Sequence, residues 1–522
     1  MEYPASSRKN LLKLITMRSH YHDDYCYHLL ILLLVFATTL LVLLWRRQRN
    51  GVRPRLPPGP RRIPLIGNLH QLGNDLPHVS LQKLSNEYGP LMFLKLGSIP
   101  TLVVSSADMA KEIFTIHDRV FSNRPMFYAP AKLSYGYSDI TFSRYGDYWR
   151  EVKKIATMEL LSAKKVLSYR AVREEEVAFA INLIRTSSSS SVPINLSEML
   201  LRLINNVVCR VAFGLKYEED GKNKIYLTLQ ETENLLAGFS TADLFPWMSW
   251  IHKFDGSDKK LDKNFGRMDE FYDKVIDEHI CRCSLKTGVE EDFVDVLLRV
   301  QKDPSQGISL TRDNIKGILM DTFVAGTDTS AATLVWTMAE LIRNPTTMKR
   351  AQDEVRSVIG IKEMVKESDL HKLSYTKLVI KEAFRLHPPA PLLVPRETRE
   401  KCTINGYDIP IKTSVLINAK AISTDPKHWR NPDEFLPERF LDSNIDYKGQ
   451  DFQLLPFGGG RRGCPGISFS AVLVELVLAN LLYGFEWKLP SDMKIEEVDM
   501  SEAFGLTMHK KVPLCLLAGN HK

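Results

Sequence analysis

Cys464 stands in the run Phe457-Gly458-Gly459-Gly460-Arg461-Arg462-Gly463-Cys464-Pro465-Gly466, directly ahead of an apolar stretch from Ile467. Glycine has no side chain to collide, so this backbone can come close to a large flat ligand. A helix starting at Ile467 would set its first amides beside the sulfur and favour thiolate over thiol. A thiolate presented in this way is a good axial ligand for haem iron. The alternative is a glycine-rich turn around an inert cysteine, which would leave the two arginines and the Cys-Pro-Gly spacing without a purpose.

A second chemical pair lies at Ala325-Gly326-Thr327-Asp328-Thr329-Ser330. It falls inside a long helical pattern from Thr311 to about Arg343, with Thr311 as its cap and Asn344-Pro345 as its stop. Between Ile315 and Met338 the only charges are Lys316, Asp321 and Asp328. A helix apolar nearly all round belongs at the centre of a large protein. There an unpaired carboxylate is costly and threonine is a poor helix former. Gly326 leaves room for a macrocycle and dioxygen, Thr329 can hydrogen-bond that dioxygen, and Asp328 can relay protons to it. The competing reading is a local bend in which Thr329 bonds back to a backbone carbonyl.

With PPGP at 57–60, AGTDTS at 325–330, FLPERF at 435–440 and FGGGRRGCPG at 457–466, the chain resembles the cytochrome P-450 superfamily from Leu56 to Leu517. Its forms look like those of the plant microsomal class of specialised metabolism. The resemblance implies a mainly helical fold with a small β lobe. It also implies a haem b on Cys464, cradled by Phe457, Gly458 and Gly326, with dioxygen as oxidant. NADPH would supply electrons without binding this chain. They would arrive through NADPH-cytochrome P-450 reductase docked on Arg150, Lys153, Lys154, Lys164, Lys165 and Arg461.

Trp149 is followed four positions later by Lys153, where related sequences carry arginine, so the resemblance implies a looser grip on the haem propionates. Arg462 and Arg396 are the remaining expected propionate partners, with a surface role the alternative for Arg396. Glu382 and Arg385, three apart on one helix face, together with Arg439, match a charge triad that locks the fold behind the cysteine loop. Tyr128, Phe323, Ala325, Leu392, Leu393, Phe504 and Leu506 are the expected lining of an apolar substrate pocket. The aromatic stretch with Phe245, Trp247, Met248 and Trp250 is expected in the access region.

These parts need a large body to position them, and 522 residues, 44% hydrophobic and 25% charged, suffice for one. The net charge of +7 comes without a long basic run interleaved with aromatics, so nucleic acid is not an expected partner. The seven cysteines form neither a CxxC pair nor a zinc-ligand set. Residues 29–45 carry no charge and, as a helix, would be about 26 Å long against a bilayer core of ~30 Å. Arg46, Arg47, Arg49, Arg53 and Arg55 follow at once, which favours a catalytic body on the cytosolic side.

The expected organisation is therefore a lumenal extension at 1–28, a single transmembrane helix at 29–45, a basic flank and proline hinge at 46–64, and a catalytic domain at 65–522. Translation from Met1 or from Met17 fits equally well. The expected activity is oxidation of a small lipophilic metabolite such as a terpenoid or alkaloid, at the endoplasmic reticulum membrane. Hydroxylation leads, with desaturation or ring formation open to the same oxidant. The rivals are a reductase-independent hydroperoxide isomerase or dehydratase of the same fold, and a non-catalytic haem-binding membrane protein.

Overall fold

The computed structural model describes residues 31–39, 54–188, 192–216, 225–283, 291–303, 308–490 and 493–521. Of the expected anchor, 31–39 form a helix whose residues are all exposed; the rest of 29–45 lies outside the described residues, as do 1–28 and Met17. A separate compact unit runs from Leu56 to Lys522. It starts earlier than the expected boundary at 65, because the proline segment packs on the body. The Phe93 amide donates to Pro58 O at 2.8 Å, and Gly67 bridges to both Ile63 and Leu96.

That body is built around one helix, Arg312–Arg343, buried along most of its length. Thr311 caps it in a reciprocal capping box with Asn314, and Asn344 ends it ahead of Pro345. Apolar side chains on every face let it pack at once on Leu196–Phe213, Ile467–Gly484, Ser374–Leu386 and Pro345–Ile359. The helix Ile467–Gly484 is also apolar enough to cross a membrane, yet 61% of it is buried here. Sequence composition alone does not distinguish these two environments; the packing does.

The β structure is minor and peripheral. Strands Leu91–Leu96, Ile99–Val104, Ser414–Ile417 and Arg396–Glu397 form one sheet in that order, with the middle pair parallel and the outer pairs antiparallel. The register Arg396↔Val415 puts Arg396 on its edge strand. A short hairpin, Glu502–Ala503 against His509–Lys510, turns through 504–508. Trp336 Nε1 donates to Met508 O at 2.8 Å, which pins this turn to the central helix. Among the described residues the cysteines are free, and Cys209 is buried.

Candidate active site

The central helix, the cysteine loop, the edge strand and the hairpin turn border one cavity of about 290 Å³. From the helix come Asp321, Thr322, Ala325, Gly326, Thr329, Ser330 and Thr333. Their three- and four-residue steps mark one face. Phe323 cannot share it: at 3.6 residues per turn it points about 200° away from Ala325. It is fully buried instead, stacked on Phe271 at 5.2 Å and packed on Phe213. Tyr128 also misses the cavity, because its ring lies 4.7 Å from that of His252. Leu392 and Phe504 line a separate pocket of only about 40 Å³, whereas Leu393 and Leu506 border both. Of the expected lining residues, Ala325, Leu393 and Leu506 therefore face the main cavity.

The cysteine loop turns through two left-handed glycines, Gly458 and Gly460. At Gly460 an added Cβ would lie 2.3 Å from Asp118 Oδ1, whose carboxylate accepts the Arg461 amide at 3.1 Å. Glycine is therefore needed there on both counts. Cys464 N donates to Phe457 O at 3.0 Å, and Cys464 Sγ accepts the Gly466 amide at 3.3 Å. Phe457 is fixed from behind by Phe384 and Tyr447.

The helix Ile467–Gly484 begins where expected, but its amides do not dominate the sulfur. Burial pushes the Cys464 thiol up, and the Gly466 N–H and Lys153 only partly oppose this. Cys464 nonetheless offers its accessible surface to the cavity. Gly326 is not imposed by protein packing, since a Cβ there would meet only Val208 at 3.4 Å.

A knot of cations, three buried arginines and the half-buried Lys153, borders the same space. Arg462 donates to the carbonyls of Ser122, Ile140 and Ser143 and lies 4.1 Å above the Trp149 ring. Trp149 Nε1 in turn donates to Ile140 O at 2.9 Å. Arg396 donates to Gly459 O at 2.7 Å and pairs at 3.7 Å with Asp118. Lys153 donates to Arg461 O and Gly463 O at 2.5 and 3.2 Å, so its ammonium grips the backbone of the cysteine loop.

Arg124, absent from the sequence-based candidates, completes the knot through Thr141 O, Val394 O and Pro395 O. Burial lowers Arg396 to about 10, Arg462 to about 9 and Lys153 to about 8. Arg124 falls well below its ordinary value through burial and then through Arg462 and Arg396. Mutually repelling buried cations call for anions beside them. A cofactor with two carboxylate arms and a soft metal for the sulfur fits this donor set.

Asp328 is buried, and its Oδ2 lies 2.8 Å from His509 Nε2 on the hairpin, while Oδ1 has no partner. Thr329 Oγ1 donates to Ala325 O at 2.9 Å, the back-bonded arrangement foreseen as its alternative. Asp321 accepts the amides of Ile140 and Thr141 at 2.5 and 2.8 Å, tying the loop that carries Ile140 to the helix. Burial raises Asp321 to about 6.

Behind the cysteine loop, Arg385 and Glu382 are fully buried and joined by two 2.8 Å hydrogen bonds. Arg439 Nε and the Leu436 amide reach the same Glu382 oxygen at 2.9 and 2.8 Å. Arg385 also holds the carbonyls of Ser423, Pro432 and Glu434.

The family model for cytochrome P450 matches residues 57–516. Cytochrome P450 71A9 of Glycine max is 58% identical, over 94% of this chain and 98% of its own length. Strychnine-11-hydroxylase of Strychnos nux-vomica is 54% identical over 94% and 96%, and premnaspirodiene oxygenase of Hyoscyamus muticus 44% over 94% and 97%. A solved zebrafish cytochrome P450 structure with abiraterone superposes with a TM-score of 0.71 at 25% identity, covering 85% of this chain and all of that one. A sulfur facing a cavity ringed by buried guanidiniums, on a chain matched along nearly its whole length, makes this protein a member of the cytochrome P450 family, a haem-thiolate oxidoreductase.

Proposed function

We propose that this chain is a membrane-anchored, reductase-dependent monooxygenase that oxidises a small lipophilic plant metabolite of the alkaloid or terpenoid kind, at the endoplasmic reticulum with its body in the cytosol. The observation that carries the reading is Cys464 and Thr329 bordering one largely apolar cavity. Haem, when bound, supplies oxygen activation from electrons delivered by the reductase. Cys464 would supply the thiolate that holds its iron, and coordination would favour deprotonation of a thiol that burial alone keeps protonated. Arg124, Arg396 and Arg462 are the residues for its carboxylates. Lys153 holds the cysteine loop itself, and Trp149 supports Arg462 from below.

Thr329 presents a hydroxyl at the cavity wall, and Asp328, one residue before it, is paired with His509 where a proton can be held and passed. The apolar lining binds substrate mainly by burial and excludes water. The related hydroxylase and oxygenase support oxidation of alkaloid- and terpenoid-like compounds as the substrate class. Exposed Trp247, Trp250 and Phe254, on and beside Pro246–Lys253, fit a rim resting on the lipid surface. Arg150, Lys154 and Arg461 fit an acidic flavoprotein partner.

Co-expression with NADPH-cytochrome P-450 reductase tests the whole reading, with a panel of alkaloid and terpenoid scaffolds and mass-spectrometric detection. Substrate-stimulated NADPH use with a product one oxygen heavier is the expected result. Turnover without reductase, or haem binding without NADPH use across the panel, would contradict it.

A further inference from the structure

Glu233 borders the same cavity and has no part in the chemistry above. It sits on the helix Ile225–Leu236 and is 4% exposed. Its hydrogen-bond partner is Thr507 Oγ1, which donates to Oε2 at a long 3.5 Å. The charges that act on it most are the carboxylates of Asp328 and Asp321. The four cations on the cavity wall are engaged elsewhere: Arg124, Arg396 and Arg462 by backbone carbonyls, Lys153 by the cysteine loop. Among the described residues Glu233 has no ion-pair partner.

The wall of the cavity that Glu233 borders also includes Leu160, Leu161, Val208, Val211, Ala212 and Leu506. A carboxyl group in such a place is costly when ionised and alone. Burial, then Asp328, accordingly raises it well above its ordinary range. A cation delivered from the cavity would satisfy its ionised form.

We propose that Glu233 is the specificity anchor of this cavity and selects lipophilic substrates that carry a basic amine, held as an ion pair with its carboxylate. The proposal rests on the cavity being the substrate chamber. An amine arriving neutral takes the carboxyl proton, and the pair forms without net proton exchange. An amine arriving as ammonium releases that proton to solvent. In both cases the nitrogen is fixed at the Glu233 wall and the rest of the molecule lies along the apolar surface. The long Thr507 contact leaves acceptor capacity on both carboxylate oxygens for the ligand.

The test is equilibrium dialysis and spectral titration of the haem-loaded full chain with two shape-matched probes, 1-methyl-4-phenylpiperidine and 1-methyl-4-phenylcyclohexane. Glu233→Gln keeps shape and removes charge; Glu233→Asp keeps charge. A charge-assisted contact in a desolvated site predicts that Glu233→Gln weakens the piperidine by about tenfold or more while the cyclohexane changes by less than about twofold. Glu233→Asp should retain part of the preference. If both probes bind wild type but Glu233→Gln weakens them equally or not at all, Glu233 is not the anchor. If neither probe enters the haem-loaded wild type, the chamber reading fails and the proposal fails with it.

Discussion

Thr329 donates its hydroxyl to Ala325 O, one turn back on its own helix, and lines the cavity while doing so. A threonine so bonded keeps its oxygen lone pairs free and can swing its proton outward with little backbone change. The back-bonded geometry is therefore compatible with the catalytic role proposed for this hydroxyl. Positioned proton donors contribute ~10²–10⁴-fold. Since water can stand in for one hydroxyl, Thr329→Ala is expected to lower product per NADPH by about tenfold, with the difference appearing as hydrogen peroxide and haem content unchanged. Unaltered coupling, measured as peroxide against product, removes Thr329 from the mechanism. At this scale Cys464, Asp328 and Thr329 were legible because thiol, acid and alcohol are rare in such settings. Arg124 and Glu233 were not, since each is an ordinary charged residue locally and becomes unusual only once tertiary packing buries it.

Between elements, two locks hold the cavity walls together. The first joins Ser374–Leu386 to the segment around Pro437–Phe440 through Glu382, Arg385 and Arg439. Removing one member leaves an uncompensated buried charge, which costs about 3–5 kcal/mol. Arg385→Leu should therefore lower thermal stability by that order and impair haem retention; a loss below about 1 kcal/mol would mean the triad is merely decorative. The second lock ties the hairpin to the central helix through His509 and Asp328. Burial opposes a charge on His509, but the Asp328 carboxylate overrides it, and the pKa stands above its ordinary value.

A raised folded value means that the pair's stabilisation is complete below about pH 6.5 and is lost as pH rises through the folded value. His509→Gln should thus be most destabilising in mildly acidic buffer, by about 1–3 kcal/mol. The gap from wild type should close toward alkaline pH in melts followed by circular dichroism. A gap independent of pH would contradict the charged pair. The first lock was readable from the family resemblance, since the Glu382–Arg385 spacing by itself fits a surface pair equally well. The second was not, because 181 residues separate its partners and no local pattern links a strand histidine to a helix aspartate. Phe323 was grouped with Ala325, two positions on, but two helix steps turn its side chain to the opposite face, away from the cavity that Ala325 lines.

Over the whole molecule, the cations and the sulfur border one cavity. Burial holds Arg396, Arg462 and Lys153 below their ordinary values, and Cys464 above its own. A ligand bringing two carboxylates and a thiolate-binding metal relieves all of these together and stabilises the folded state by mass action. The mainly helical body was foreseeable from the family resemblance, and the central place of Arg312–Arg343 from its length and all-round apolarity. The placement of the small sheets was not, because strands of two to six residues carry little periodic signal.

The central claim is that Cys464 supplies the axial thiolate, and the spectrum of the reduced carbon-monoxide complex tests it directly. Reconstituted wild-type chain is expected to show the red-shifted Soret band of thiolate ligation, and Cys464→Ala to lose it. A red-shifted band that survives in Cys464→Ala would contradict the assignment.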